Sequence, residues 1–446
     1  MTNILVQLMY SQRNYVFVSL RFMENTISKD ALPSLQAQSI KIAYVSSCLP
    51  RKCGIATFTN DLVHSVDKIN QAGSYQIIAM TDFGQSYDYS DKVKFEIHQY
   101  SKTDYEQAVK YINNSSVNVV SLQHEFGLHT GPNSGLTCCL SAGAEVPYAD
   151  EVDMEEEHYL LSMLDNITKP VVTTFHTILP SPNNQQMYIV RRIIKRSAAV
   201  VAMSEISRKV LIDVYGCPTR KAVLIFHGVP DFEIGQTKKY RKKLNIKDSN
   251  PMILTAGLLG PGKGLEVVIK AMPAVVKKFP SAKLFIVGQT HPVILGNEGE
   301  TYRNKLVKLV ERNSLTKNVE FINRYLSDED LQAYFQASDF FVTAYARLQQ
   351  STSGMLVWGL GSGNICISTP YQHAEELLSD GSGVIVKQNS PSAIAKNVIN
   401  LCNNPEVAQR IRKLAYTKGH KAIWANVGEK YFNLFKKLLK EGPTKD

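Results

Sequence analysis

From Ile40 onward, short runs of apolar residues alternate with longer segments in which apolar residues recur at helical spacing. The short runs have the length of buried strands, and the longer segments have the period of amphipathic helices. Predicted strands cover residues 40–45, 75–80, 117–122, 171–175, 199–203 and 222–225, and predicted helices cover residues 55–69, 105–112, 154–164, 189–196 and 207–214. Such alternation is typical of an α/β fold, in which helices cover both faces of a parallel sheet.

A polar, lysine-rich stretch, residues 232–251, interrupts this pattern, which then starts again. The second set of predicted strands covers residues 253–256, 283–287, 319–322, 340–343, 365–368 and 383–386. We therefore expect two Rossmann-like, doubly wound domains that face each other across a cleft, with ligands bound at the carboxyl ends of the strands. The expected domains are residues 40–235 and 236–420, after an N-terminal extension (1–39) and before a C-terminal helix (421–446) that packs back on the first domain.

Two segments fit neither repeat of the pattern. Residues 128–153 contain Gly-Pro-Asn-Ser-Gly and no regular apolar period, so we expect an inserted surface loop at the edge of the cleft. Residues 1–22 are a poor signal peptide, and no apolar run of the chain has the length of a membrane span. We hypothesise that Met23 is the true start, which mass spectrometry of the N-terminal peptide would decide.

The chain of 446 residues has a net charge of +10 and is 44% hydrophobic and 20% charged, which is ordinary for a globular protein. Its basic clusters occur without a nucleic-acid-binding signature, so we expect no nucleic-acid partner. They suit an anionic sugar nucleotide equally well, and a peripheral membrane contact is left open. The seven cysteines lack metal-ligand spacing, which predicts reduced thiols in a cytoplasmic protein with no metal ion and no cofactor.

The turn at residues 261–264, Pro-Gly-Lys-Gly, carries the clearest candidate chemistry. It lies between a predicted buried strand and the start of a predicted helix. A glycine-rich turn at a helix N-terminus exposes backbone N–H groups, and these favour a bound phosphate. Lys263 adds a positive charge at the same place, although the motif is not that of a P-loop and a solvated turn lysine is the alternative.

From about Ile40 to its end, the chain resembles the retaining GT-B glycosyltransferases, which use nucleotide sugars. Short motifs of that family occur in the expected order, in residues 47–56, 123–127, 171–180, 202–205, 226–229, 284–288, 321–328 and 369–378. The resemblance implies that Lys263 holds the donor diphosphate and that His176 lies beside the transferred sugar. The further donor-binding residues that it implies are Gly54, Gly262, Gly264, Asn323, Tyr325, Gln350, Ser353, Gly354 and Glu376.

The chain departs from the family at two places. An arginine that usually precedes the lysine is absent, so leaving-group stabilisation rests more on Lys263 and on backbone N–H groups. Gln350 and Trp358 stand where many relatives have two glutamates, and we expect Trp358 to pack against its helix or to stack near the nucleotide. Glu376 could take over part of the role of these two glutamates. The alternative for Glu375 and Glu376 is that they are carboxylates in the first turn of a helix, where the helix dipole favours them.

His124 and Glu125 end another predicted strand and could orient an acceptor hydroxyl, although a structural histidine is equally compatible with the pattern. The function that the resemblance implies is transfer of a hexosyl group, with retention, from a nucleotide diphosphate sugar to a sugar, glycan or glycolipid acceptor. Two rivals stay open, a noncatalytic sugar-nucleotide-binding protein and an epimerase that acts on a nucleotide sugar.

Overall fold

The computed structural model describes residues 39–129, 158–247 and 249–442. Two parallel sheets dominate it, and the α/β fold with two doubly wound halves that the sequence predicted is confirmed. The hypothesis about Met23, the predicted N-terminal extension up to Gln38, and Cys138 and Cys139 lie outside the described residues. The same holds for residues 130–153 of the predicted loop, whereas Leu128 and His129, which precede them, are buried at 3% and 1% exposure.

The first sheet has seven strands in the order β3-β2-β1-β4-β5-β6-β7. Its strands are β1 (Lys41–Ser46), β2 (Ser74–Thr81), β3 (Val93–His98), β4 (Val119–His124), β5 (Val171–Phe175), β6 (Ala199–Ala202) and β7 (Ala222–Leu224). Its helices are α1 (Gly54–Asp67), α2 (Lys102–Asn114), α3 (Tyr159–Asn166), α4 (Asn184–Arg196) and α5 (Glu205–Asp213). The central strands β4 and β5 are buried along their whole length, as expected for a parallel sheet covered on both faces.

The second sheet has six strands in the order β10-β9-β8-β11-β12-β13. Its strands are β8 (Met252–Ala256), β9 (Lys283–Val287), β10 (Val319–Ile322), β11 (Phe340–Thr343), β12 (Ile365–Ser368) and β13 (Val384–Ile385). The helices are α6 (Thr237–Lys243), α7 (Leu265–Lys278), α8 (Pro292–Glu298), α9 (Thr301–Arg312), α10 (Asp328–Ala337), α11 (Gly354–Gly361), α12 (Gln372–Leu378), α13 (Pro391–Asn403), α14 (Pro405–His420) and α15 (Trp424–Glu441). None of the helices in the described residues has the length and apolar character that crossing a membrane requires.

The last helix, α15, returns to the first domain. Val427, Tyr431 and Phe435 belong to the apolar core on one face of the first sheet, together with residues of β1 and α1. The Tyr431 hydroxyl also forms a hydrogen bond of 2.9 Å with Thr174 of β5. Gly428 allows this approach, because a Cβ built there would lie 2.6 Å from the Ser65 hydroxyl of α1.

Three elements were not expected from the apolar pattern. Strand β3 lies at the sheet edge, and its sequence alternates apolar and polar residues, with Ile97 buried and Lys94 and His98 exposed, so it contains no apolar run. Helix α6 occupies the lysine-rich stretch, residues 232–251, and has no buried residue. Its half-buried Tyr240 packs against the core of the second domain, and Arg241 donates to Asp339 at 2.7 Å. The third, α8, has a single buried residue, Ile294, so its sequence carries no helical apolar stripe.

Candidate active site

The carboxyl ends of both sheets open into one cavity of about 2260 Å³. One wall comes from the first sheet: the loop after β1, the start of α1 and the ends of β4 and β5. The other wall comes from Gly257, Leu258 and Lys263, the loop that follows β9 and the loop between β11 and α11. This is the place at which open α/β sheets bind their ligands.

Lys263 ends a 3₁₀ turn, Pro261–Lys263, between β8 and α7. Its ammonium nitrogen lies 4.5 Å from the centre of the Tyr345 ring, a cation–π contact that holds the side chain on the cavity wall. Gly262 and Gly264 are not on this wall; they shape the turn. The Gly262 carbonyl accepts from Ala346 N at 3.1 Å. Gly264 has φ +64° and lies against β11, since a Cβ there would be 1.9 Å from the Ala344 oxygen.

His291 faces the same part of the cavity and was not identified from the sequence. Its backbone N–H donates to Leu259 O at 2.9 Å, which fastens the loop after β9 to the loop before Lys263. Its Nδ1 accepts from Val293 N at 3.3 Å, so the ring proton is on Nε2. Burial and the nearby charge of Lys263 lower the pKa of His291 to about 4, and the ring is therefore a neutral N–H donor beside a cation. Its place in the loop that follows a buried strand, β9 (Lys283–Val287), was the signal available in the sequence.

His176 lies at the end of β5 on the opposite wall. Its ring Nε2 lies 3.0 Å from Gln123 Oε1, and the amide of Gln123 donates in turn to Ser121. This network places the ring proton on Nε2 and leaves Nδ1 as an acceptor. Burial and the neighbouring His227 lower the pKa of His176 to about 3, so the ring is neutral at physiological pH.

The structure separates the two residues expected on the acceptor side. Glu125 lines the cavity, and its carboxylate accepts from the Thr177 hydroxyl at 2.7 Å. Burial raises the pKa of Glu125. His124 does not reach the cavity, because its ring is 1% exposed and lies 5.2 Å from the rings of both Phe126 and Phe175. Glu125 continues the extended backbone of β4, with φ −140° and ψ 139°. Neighbouring residues of an extended chain point to opposite faces, which accounts for the difference.

The start of α11 forms the part of the wall next to Lys263. Ser353 caps this helix: its hydroxyl accepts from Leu356 N at 3.4 Å, and its own N–H donates to His373 Nδ1 at 2.9 Å. Gly354 allows the two domains to touch, since a Cβ there would lie 2.8 Å from His227 Nε2. Gln350 also lines the cavity, with its amide donating to Thr352 O at 2.7 Å. A helix N-terminus beside a lysine is a favourable site for a phosphate group.

Three other predicted residues take different positions. Glu376 is turned away from the cavity, because both carboxylate oxygens accept backbone N–H groups of Glu205 and Ile206 at 2.8 Å and so cap α5 of the other domain. Asn323 is exposed and does not line the cavity. Trp358 touches the cavity, but it is 3% exposed and packs against Phe232, with the ring centres 5.8 Å apart.

Tyr325 does line the cavity, and its hydroxyl lies 2.9 Å from the Thr57 hydroxyl of the first domain. Gly54 opens α1 on the facing wall, and a Cβ built there would meet no atom within 4 Å. The structure therefore brings together Gly54, His176, Lys263, Tyr325, Gln350, Ser353, Gly354 and Glu125 around one cavity.

Two doubly wound domains with a ligand-sized cleft between their strand ends define the GT-B class of proteins, and comparisons with known structures agree. The sucrose-phosphate synthase of Thermosynechococcus elongatus matches with a TM-score of 0.68 and 15% identity, over 90% of this chain and all of that one. The Anabaena protein HepE, solved with UDP and glucose, matches with a TM-score of 0.64 and 13% identity, over 90% and 100%. At these identities the likeness concerns the fold.

Residues 236–418 match the family model described as glycosyl transferases group 1, and residues 158–231 match glycosyltransferase family 4. The chain belongs to the group 1 glycosyltransferases of the GT-B fold.

Among curated proteins, it is 28% identical over 208 residues to a GDP-mannose-dependent monoacylated alpha-(1-6)-phosphatidylinositol monomannoside mannosyltransferase of Corynebacterium glutamicum. That match covers 44% of this chain and 49% of the relative. It is 24% identical over 256 residues to an uncharacterised glycosyltransferase of Methanocaldococcus jannaschii, covering 55% of this chain and 60% of the relative. The chain thus spans about half to three fifths of the length of these relatives.

Proposed function

We propose that the protein is a glycosyltransferase that moves a hexosyl group from a nucleotide diphosphate sugar to an acceptor hydroxyl, with retention of the anomeric configuration. The observation that carries this proposal is the position of Lys263 and the start of α11 on one cavity wall, opposite the neutral His176 on the other. Membership of the family supports a nucleotide-sugar donor, and so does the printed name of the mannosyltransferase relative. A sugar, glycan or glycolipid acceptor fits the same comparison.

In the proposed reaction, the bond from the sugar C1 to the diphosphate oxygen breaks while a bond from the acceptor oxygen to C1 forms on the same face. The acceptor proton passes to an oxygen of the leaving diphosphate. Lys263, the neutral His291 N–H and backbone N–H groups stabilise the negative charge that grows on the leaving group. His176 accepts a hydrogen bond from a sugar hydroxyl through Nδ1 and carries no charge. The proposal involves no metal ion, so dialysis against EDTA should leave the rate unchanged.

The test is an assay of donor cleavage and transfer with GDP-, UDP- and ADP-linked hexoses. Lys263→Ala should lower kcat by about 100-fold or more, the usual effect of removing one group that stabilises a developing oxyanion. Lys270→Ala is the matched control, because Lys270 is an exposed lysine of α7, the helix that follows the turn. Proton NMR of the product would give its anomeric configuration.

Each rival function has its own outcome in this assay. A wild-type protein that binds nucleotide sugars but is as inactive as Lys263→Ala with every donor would be a noncatalytic binding protein. Conversion of a single nucleotide sugar into another, without acceptor, would make the protein an epimerase. The cytoplasmic location and the peripheral membrane contact stay predictions.

A further inference from the structure

Two aromatic side chains lie exposed inside the cleft, away from the Lys263 turn. Phe83 follows β2 and is 72% exposed; Tyr100 follows β3 and is 38% exposed. Their ring centres are 5.3 Å apart with the ring planes inclined at 38°, so that they form one nearly continuous surface. Both line the same cavity as His176 and Lys263. An aromatic pair left exposed in a cleft forgoes the favourable burial of its apolar surface, and such a pair is typical of a binding surface.

The surface of Phe83 and Tyr100, which we call the aromatic platform, is held in place by its neighbours. Phe83 stands on a turn closed by a hydrogen bond of 3.1 Å from Gln85 N to Asp82 O. The Asp82 carboxylate is fixed by an ion pair with Arg51 and by the Tyr87 hydroxyl, which donates at 2.9 Å. The platform is therefore a preformed part of the first domain.

Gln99, the residue before Tyr100, connects the platform to the candidate active site. Its amide donates to Gly127 O at 2.8 Å, two residues after Glu125. The cavity is also larger than a nucleotide sugar needs, because pockets for ligands of that size measure roughly 300–1,000 Å³. More than half of its 2260 Å³ is left for a second ligand.

The chemistry around the platform suits a neutral carbohydrate. Aromatic faces carry partial negative charge and attract the C–H face of a sugar ring. Amide and hydroxyl side chains line the cavity nearby and can bond to sugar hydroxyls; they are Gln85, Ser86, Ser181, Asn183 and Gln185. At this end of the cavity, the described cations Arg51 and Lys52 are balanced by Asp82 and Asp88, so that no net positive charge favours an anionic lipid headgroup.

We propose that the aromatic platform binds a sugar unit of the acceptor, and that the acceptor is a neutral oligosaccharide of two or more units. This inference rests on the proposed transferase function and adds the substrate class on the acceptor side. One unit stacks on Phe83 and Tyr100 while the terminal hydroxyl reaches the space between His176 and Lys263.

The test is saturation-transfer NMR with the full chain, a saturating nucleoside diphosphate, and α- and β-linked mannose and glucose oligosaccharides of one to four units. We expect oligosaccharides to bind more tightly than the single sugars. Phe83→Ala and Tyr100→Ala should each weaken binding about three- to tenfold, in line with the energy of an aromatic contact. Tyr188→Ala is the control, because Tyr188 is 37% exposed on α4 and does not line the cavity.

The outcomes separate this inference from the proposed function. Nucleotide binding without binding of any oligosaccharide would overturn the inference and leave the transferase proposal standing. An equal loss in Tyr188→Ala would also overturn it, as would platform-dependent binding to phosphatidylinositol-containing vesicles in place of oligosaccharides. Failure of the wild-type protein to bind any nucleotide would overturn the proposed function, and the inference with it.

Discussion

Gln123 and His176 lie at the ends of the neighbouring strands β4 and β5, and their side chains meet through a hydrogen bond of 3.0 Å. Gln123 is fully buried, so water does not compete for the hydrogen bonds of its amide. Its orientation is set by the bond that it donates to Ser121. One amide therefore decides which ring nitrogen of His176 is an acceptor, without touching a substrate itself.

Replacing Gln123 by leucine should free the His176 ring to take either tautomer. Loss of a buried hydrogen bond costs about 0.5–1.5 kcal/mol, so we expect kcat to fall about three- to tenfold with little change in KM. Nitrogen-15 NMR should show mixed tautomers of His176 in the variant and one tautomer in the wild type. Thr173→Val is the control, because it removes another buried hydrogen bond, to Ser197, and leaves His176 untouched. An unchanged tautomer in Gln123→Leu would contradict the prediction.

The sequence was sufficient to place His176 at the end of a buried strand and Lys263 in the turn between a buried strand and a helix. In doubly wound folds, both positions face the cleft. It was not sufficient for Glu376, whose carboxylate is engaged by backbone groups of the other domain. The sequence also could not show that His124 points into the core. A strand that is buried on both faces lacks the alternation of apolar and polar residues that would show which way each side chain points.

At the scale of elements, the turn that carries Lys263 depends on contact between two loops. Gly264 ends the turn in a left-handed conformation and directly precedes α7. The carbonyl of Ala344, the residue after β11, occupies the space that a side chain would need. Because β8 and β11 are adjacent strands, the turn and this carbonyl are brought together by the sheet itself.

Gly264→Ala should therefore be far more destabilising than an ordinary glycine replacement. The left-handed conformation alone costs about 1–2 kcal/mol with a Cβ, and displacement of the Ala344 carbonyl should raise the total above about 3 kcal/mol. Gly216→Ala is the matched control, since Gly216 follows α5 with φ +73°, donates its N–H to Ile212 O as in a left-handed helix cap, and has open space around it. Urea unfolding of both variants measures the difference. Equal losses of stability would show that the close approach does not matter.

The apolar pattern predicted the central strands of both sheets because they are buried on both faces and their sequences are continuous apolar runs. The apolar pattern did not predict the edge strand β3 or helix α6, because neither element has a face that is buried along its whole length. Helix α6 is fixed by Arg241 and Asp339, which are far apart in sequence. Such a contact becomes visible only once the second domain is folded.

At the scale of the whole molecule, side chains from both domains meet directly across the cleft. The Ile178 N–H donates to the Ser351 hydroxyl at 3.1 Å, and Thr57 meets Tyr325 at 2.9 Å. Near Thr57, the carboxyls of Asp61 on α1 and Asp328 on α10 are neighbours, and burial raises the pKa of both. Two neighbouring buried carboxyls repel each other when both are charged, which favours a state in which one of them holds a proton. The contact between the domains is therefore linked to pH.

Burial and Asp328 raise the pKa of Asp61 to about 7 from its ordinary value of 3.8. The folded protein consequently holds more protons than the unfolded chain between about pH 4 and pH 7. This stabilisation is complete below about pH 4 and is lost as the pH rises to 7. Asp61→Asn keeps a hydrogen-bond donor without a titratable group. It should therefore flatten the fall of Tm between pH 5 and pH 8 and raise Tm at pH 8.

Differential scanning calorimetry at pH 5, 6, 7 and 8 measures this effect. Asp67→Asn is the matched control, because Asp67 ends the same helix and is exposed. It carries the same change of charge without the partner carboxyl, and its Tm profile should run parallel to that of the wild type. If Asp61→Asn also ran parallel to the wild type, the proton held by Asp61 would have no part in stability. A flatter profile in Asp61→Asn alone would assign the pH dependence to the buried carboxyl of Asp61, because Asp67→Asn makes the same change of charge at an exposed position of the same helix.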